Sequence, residues 1–130
     1  MTDDPATWLV AGAEVLAAVL ITGFWITWFR TPHEEPWLPA GYVEHERVFV
    51  FPDSVLALTL AVSAVLLVLK EPLGGSVALV AAGMLTFLGI IDLAYFVQHG
   101  MFRREREGVL NFAVVIGALA LAVILFARYA

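Results

Sequence analysis

Three acidic residues stand inside, or at the mouths of, stretches that are otherwise apolar: Glu14, Asp53 and Asp92. A charged side chain at the centre of a bilayer costs about 2.5–3.5 kcal/mol on insertion scales. A carboxylate kept there is therefore either protonated or met by a cation. No Lys or Arg lies within the apolar stretches, so an internal ion pair is disfavoured. The partner is then a proton, a metal ion or the cationic group of a ligand. The chemistry open to such groups is proton exchange, general acid/base catalysis or electrostatic capture of an amine. Asp92, Glu14 and Asp53 are the candidate catalytic residues on this reasoning.

Helical spacing brings further polar groups towards these acids. Gly89, Asp92, Tyr95, Phe96 and His99 fall on one face of a helix by the three-to-four rule. Ala11, Glu14, Ala18, Thr22 and Trp25 form a second face, small and polar, which should look towards other helices rather than lipid. If the inward faces meet, Asp92, Asp53, Asn111, Tyr95, Thr22 and Trp25 line a pocket, with Glu14 near its floor and His99 at its rim. Trp25 and Tyr95 are the rings able to flank a cationic ligand. Simpler roles compete for several of these residues. Asp53 follows Pro52 and reads as a helix N-cap. Asp92 can hydrogen-bond Asn111 or a hydroxyl of the second helix. His99 reads as an interfacial side chain.

His33, Glu35, Glu44 and His45 carry metal-ligand side chains but in no recognised ligand spacing. A solvated acidic loop is the favoured reading for them. No cofactor is implied: only His99 lies near an apolar helix, which disfavours a haem held by two histidines.

The elements that must position these groups follow from composition. The chain has 130 residues, 62% hydrophobic and 15% charged, with mean hydropathy +0.91. A soluble domain is nearer 45–50% apolar and about 25% charged. An all-α integral membrane protein is expected, with 1–130 as one domain. Four transmembrane helices at about 6–29, 53–69, 76–98 and 109–128 form an up-down antiparallel bundle. A short interfacial helix is expected around 43–51, after the prolines at 32, 36 and 39. The acidic flank before the first run and its length of about 22 residues argue for a retained span rather than a cleaved leader. The absence of Cys excludes disulfide and thiolate chemistry. The net charge of −5, with no basic stripe, excludes nucleic acid as a partner. Arg30, Arg47, Arg103, Arg104 and Arg106 share one face of this topology, against Lys70 and Arg128 on the other. The first face is expected to be cytoplasmic in a plasma membrane, with both termini outside.

Four short helices with a lone acid in Ala13-Glu14-Val15 of the first resemble the small multidrug resistance transporters. That resemblance implies proton exchange at Glu14 against cationic drugs. The connection 30–51, Asp92 and the third helix depart from that family's pattern. The chain also resembles the emopamil-binding and sigma-2-receptor group, which holds amine or sterol-like ligands against intramembrane acids and aromatics. There Asp53, Asp92, Trp25 and Tyr95 would be the analogous chemistry. Phe51-Pro52-Asp53-Ser54, followed by a Gly-rich third helix, is similar to small uncharacterised prokaryotic four-helix proteins, which assigns no activity.

The expected function is binding of a hydrophobic or cationic ligand, or a lipid, in an intramembrane carboxylate-lined pocket. Acid/base chemistry on that ligand is the form an enzymatic activity would take. The alternatives are a proton-coupled transporter or channel, working as a homodimer, and an accessory subunit docked on a larger membrane partner.

Overall fold

A computed structural model describes residues 4–34, 36, 38–100 and 106–130, with side chains at 106 and 107 left aside. The described residues form five helices: α1 (Pro5–Arg30), α2 (Tyr42–Val48), α3 (Val50–Val68), α4 (Leu73–Gln98) and α5 (Arg106–Tyr129). No strand occurs among the described residues.

The local sequence accounts for most of the boundaries. Asp4 caps α1 by accepting the Ala6 N–H at 3.0 Å, and Pro5 fills the first turn, where a missing N–H costs nothing. Thr31 leaves the helix in an extended conformation, as the following Pro32 requires. α2 and α3 are one nearly continuous rod, because Phe49 between them keeps right-handed helical angles. The Asp53 N–H already bonds the Phe49 carbonyl at 2.9 Å. Asp53 is therefore inside α3 and is not its N-cap. Pro52 sits in the first turn of α3, where its ring is tolerated.

Leu69 to Pro72 reverse the chain. Lys70 adopts a left-handed conformation, φ 61°, and the Glu71 N–H closes the turn on the Leu66 carbonyl at 2.9 Å. α4 starts three residues before the expected position, at Leu73. Gly74 makes this possible: a side chain there would stand 3.0 Å from the Leu67 backbone nitrogen, so only glycine lets α4 leave the turn this close to α3. At its far end Gly100 supplies the left-handed residue, φ 63°, that commonly stops a helix.

The helices pack in chain order, α1 on α3, α3 on α4 and α4 on α5. α1 and α5 meet at the end that carries both termini, where Arg128 pairs with Asp4 and donates to Thr7 Oγ1 at 3.1 Å. At the opposite end, Leu38 and Tyr42 of the connecting segment pack on Phe96 of α4 and Val115 of α5. The main core is small and aliphatic: Leu56, Leu60, Ala78, Ala81, Leu85 and Leu125. The outer surface is apolar as well. Leu9, Leu16, Val19, Leu20, Leu58, Phe87 and Phe126 are all exposed. A continuous apolar exterior is untenable in water and natural in lipid. Four helical stretches, Pro5–Arg30, Tyr42–Val68, Leu73–Gln98 and Gly108–Tyr129, are long and apolar enough to cross a bilayer. The chain is an integral membrane protein with four spans.

Candidate functional site

The antiparallel pairing of α1 and α3 decides where the acids go. The Trp25 ring nitrogen on α1 donates to Asp53 Oδ2 on α3 at 2.9 Å. Eleven residues back along α1, Glu14 faces Ser63, ten residues onward along α3. At 1.5 Å rise per residue these two places are about 15 Å apart. Glu14 is thus not the floor of a pocket containing Asp53; the acids form two groups.

The first group lies at the end of α1 that leads into the connecting segment. Three carboxylates converge there from three elements: Glu46 on α2, Asp53 on α3 and Asp92 on α4. Glu46 lies in electrostatic range of both others, and Asp92 in range of Asp53. Glu46 is buried and the two aspartates are half-buried. Like charges this close repel one another strongly in a medium of low dielectric constant. The group therefore favours any cation, or any proton, that can reach it. The cationic side chain whose ion pair is described, Arg128, is at the other end of the bundle with Asp4.

Aromatic rings wall this group. Trp25 stands edge-on to Trp28, with centroids 5.3 Å apart. Trp28 lies against the His33 ring at 4.3 Å, and His33 Nε2 hydrogen-bonds the Trp28 carbonyl at 2.9 Å. On the other side His45 stacks flat on Tyr95, centroids 3.8 Å apart and 8° from parallel. The His99 ring lies tilted against Tyr95, centroids 4.3 Å apart.

The other expected site residues are placed as follows. Asn111 is half-buried on α5, one turn before Val115, which packs beside Phe96. His99 is exposed, at the rim. Thr22 is exposed to the bundle's exterior and its hydroxyl bonds the Ala18 carbonyl at 2.8 Å. It lies outside the group, because the inward stripe of α1 runs through Glu14, Trp25 and Trp28 and leaves Thr22 a quarter-turn away. Of the weak metal candidates, Glu44 is exposed, His33 and His45 are engaged with rings, and Glu35 lies outside the described residues. No group of three or more His, Cys, Asp or Glu fit to hold a metal ion occurs among the described residues.

Glu46 was the residue that spacing arguments over the apolar runs passed over. It falls in a stretch that reads as a polar connection. The signal was there in part: Glu46 and Asp53 are seven residues apart, two helical turns, and share a face if the helix continues through Phe49.

Elsewhere, an open apolar groove of about 610 Å³ runs between α4 and α5, over Ala82, Gly83 and Ala122 and between Phe87 and Phe126. It faces the lipid side and holds none of the acids. Comparison with protein-family models, with curated proteins and with solved structures gives no match. Function has to be read from the residues themselves.

Proposed function

We propose that this protein binds a hydrophobic ligand carrying a cationic group, with Glu46, Asp53 and Asp92 as its electrostatic anchor. What supports the reading is three carboxylates, from α2, α3 and α4, within electrostatic range of one another and beside Trp25 and Tyr95. An ammonium group there meets several acceptors at once, and its apolar body has aromatic surface to lie against. The ligand enters from lipid or from the membrane surface, since the site is near one end of the spans. That end is the cytoplasmic one in this reading, because five arginines flank it against one lysine and one arginine at the other.

Thermal unfolding of the purified protein with added long-chain amines tests the proposal. A rise in the midpoint that grows with amine concentration is expected. Asp92→Asn should weaken the apparent affinity at least about tenfold, the scale of a hydrogen bond to a charged group. A neutral alcohol of the same chain length should bind no better to the native protein than to the variant. Equal stabilisation of both proteins by the amine would refute the assignment.

A further inference from the structure

The second acid is the one the ligand proposal does not use. Glu14 has no exposed surface at all, and neither has Ser63 opposite it. Both carboxyl oxygens of Glu14 and the hydroxyl of Ser63 lack a hydrogen-bond partner, though the two side chains face one another across the α1–α3 contact. Three orphan polar atoms at one buried point are rare in folded proteins and call for a physical cause. Apolar side chains surround them: Val10 precedes Glu14 by one turn of α1, and Leu60, Ala64 and Leu67 are the buried neighbours on α3.

Among the described residues no other titratable group shares this region. On α1 none lies between Asp4 and Glu14 or between Glu14 and Arg30. None lies between Asp53 and Lys70 on α3, between Leu73 and Ile91 on α4, or between Val109 and Ala127 on α5. An ionised Glu14 would therefore be buried with no cation of the protein's own, a situation that costs several kcal/mol. The neutral acid avoids that cost. Ser63 fits both forms, because a hydroxyl donates and accepts. It can accept from the Glu14 O–H, and it can donate to the carboxylate once the proton has left.

We propose that Glu14 and Ser63 form a proton-exchange site within the membrane, separate from the carboxylate group around Asp92. The proton is bound as the carboxylic acid of Glu14 and released as H⁺ to water admitted between α1 and α3. Ser63 is a positioning residue that serves both states.

Infrared difference spectroscopy of the full chain in lipid vesicles, between about pH 5 and about pH 9, tests this. The expected result is a carboxylic-acid carbonyl band that vanishes at high pH, is absent from Glu14→Gln and persists in Asp92→Asn. Ser63→Ala should move the midpoint without abolishing the band. A Glu14-dependent band of constant intensity across the range would make the acid purely structural and overturn the proposal, as would no such band at any pH. A transition seen in choline buffer but abolished by sodium would assign the site to a metal ion and overturn it equally. The amine measurements above read a different place and stand or fall separately.

Discussion

Glu14 presents a direct conflict between stability and use. A fully buried carboxyl with both oxygens unpartnered lowers the stability of the fold, since an unsatisfied buried polar group costs about 1–3 kcal/mol. Glu14→Leu removes two of the three orphan atoms, leaving the Ser63 hydroxyl, and adds aliphatic volume to a core already built from Leu60 and Leu67. The expected outcome is a gain of about 1–3 kcal/mol in unfolding free energy, measured by denaturation in detergent, with loss of the pH-dependent carbonyl band. A loss of stability would mean that the pairing of Glu14 with Ser63 outweighs the cost of burying the carboxyl. Trp25 offers the contrasting case. Its ring nitrogen is the donor to Asp53, and Trp25→Phe leaves a half-buried carboxylate with one partner fewer. Destabilisation of about 1–3 kcal/mol is expected. Asp53→Asn should cost less, because the amide oxygen can still accept from Trp25. Reversal of that order in unfolding measurements would show that the Trp25–Asp53 bond is not what holds this end together.

The helices were legible in the sequence because lipid imposes a simple rule: about 20 apolar residues in a row are needed to span, and polar backbone has nowhere else to go. The starts of α3 and α4 were not, and for one reason. Neither is marked by a local start signal in the sequence. α3 starts at Val50 because α2 runs into it through Phe49; α4 starts at Leu73 because Gly74 tolerates the Leu67 backbone. That same registration placed Glu46 in the acidic group, and a propensity argument confined to the apolar runs had no access to it. The pairing of α1 with α3 likewise separated Glu14 from Asp53, which depth arguments alone had merged. Two glycines report on the packing of α4. A methyl group at Gly74 meets backbone atoms of Leu67 and Leu66 at 3.0 and 3.2 Å, whereas one at Gly89 meets the end of the Leu119 side chain at 2.8 Å. Backbone cannot step aside and a leucine rotamer can. Gly74→Ala should therefore cost about 1–3 kcal/mol and Gly89→Ala less, read as the difference in unfolding midpoints between the two variants.

At the scale of the whole molecule, α1 and α5 are the two outer members of a row of four spans, and they are drawn together at the end that bears the termini. Arg128 of α5 pairs with Asp4, which also caps α1, and reaches Thr7 Oγ1. One carboxylate thus ends a helix and closes the row. The guanidinium beside Asp4, followed by the Ala6 N–H, holds its carboxyl below the usual carboxylate range. A carboxyl lowered in the folded state contributes its stabilisation above its ordinary value near 3.8 and loses it as the pH falls through the lowered value. The contact is exposed, so salt weakens it too, over a screening length of about 8–10 Å at moderate ionic strength. The chain contains no Cys, so spin labels on cysteines introduced at Ala6 and Ala127 measure this end without background. Their separation should be short and narrow at neutral pH in low salt. It should broaden to longer distances in Arg128→Gln, in molar salt, and in acid once the pH falls through the lowered value of Asp4, which lies under 3.8. An unchanged distribution under all three conditions would mean that packing of α1 across α3 and α4, and not the ion pair, keeps the row closed.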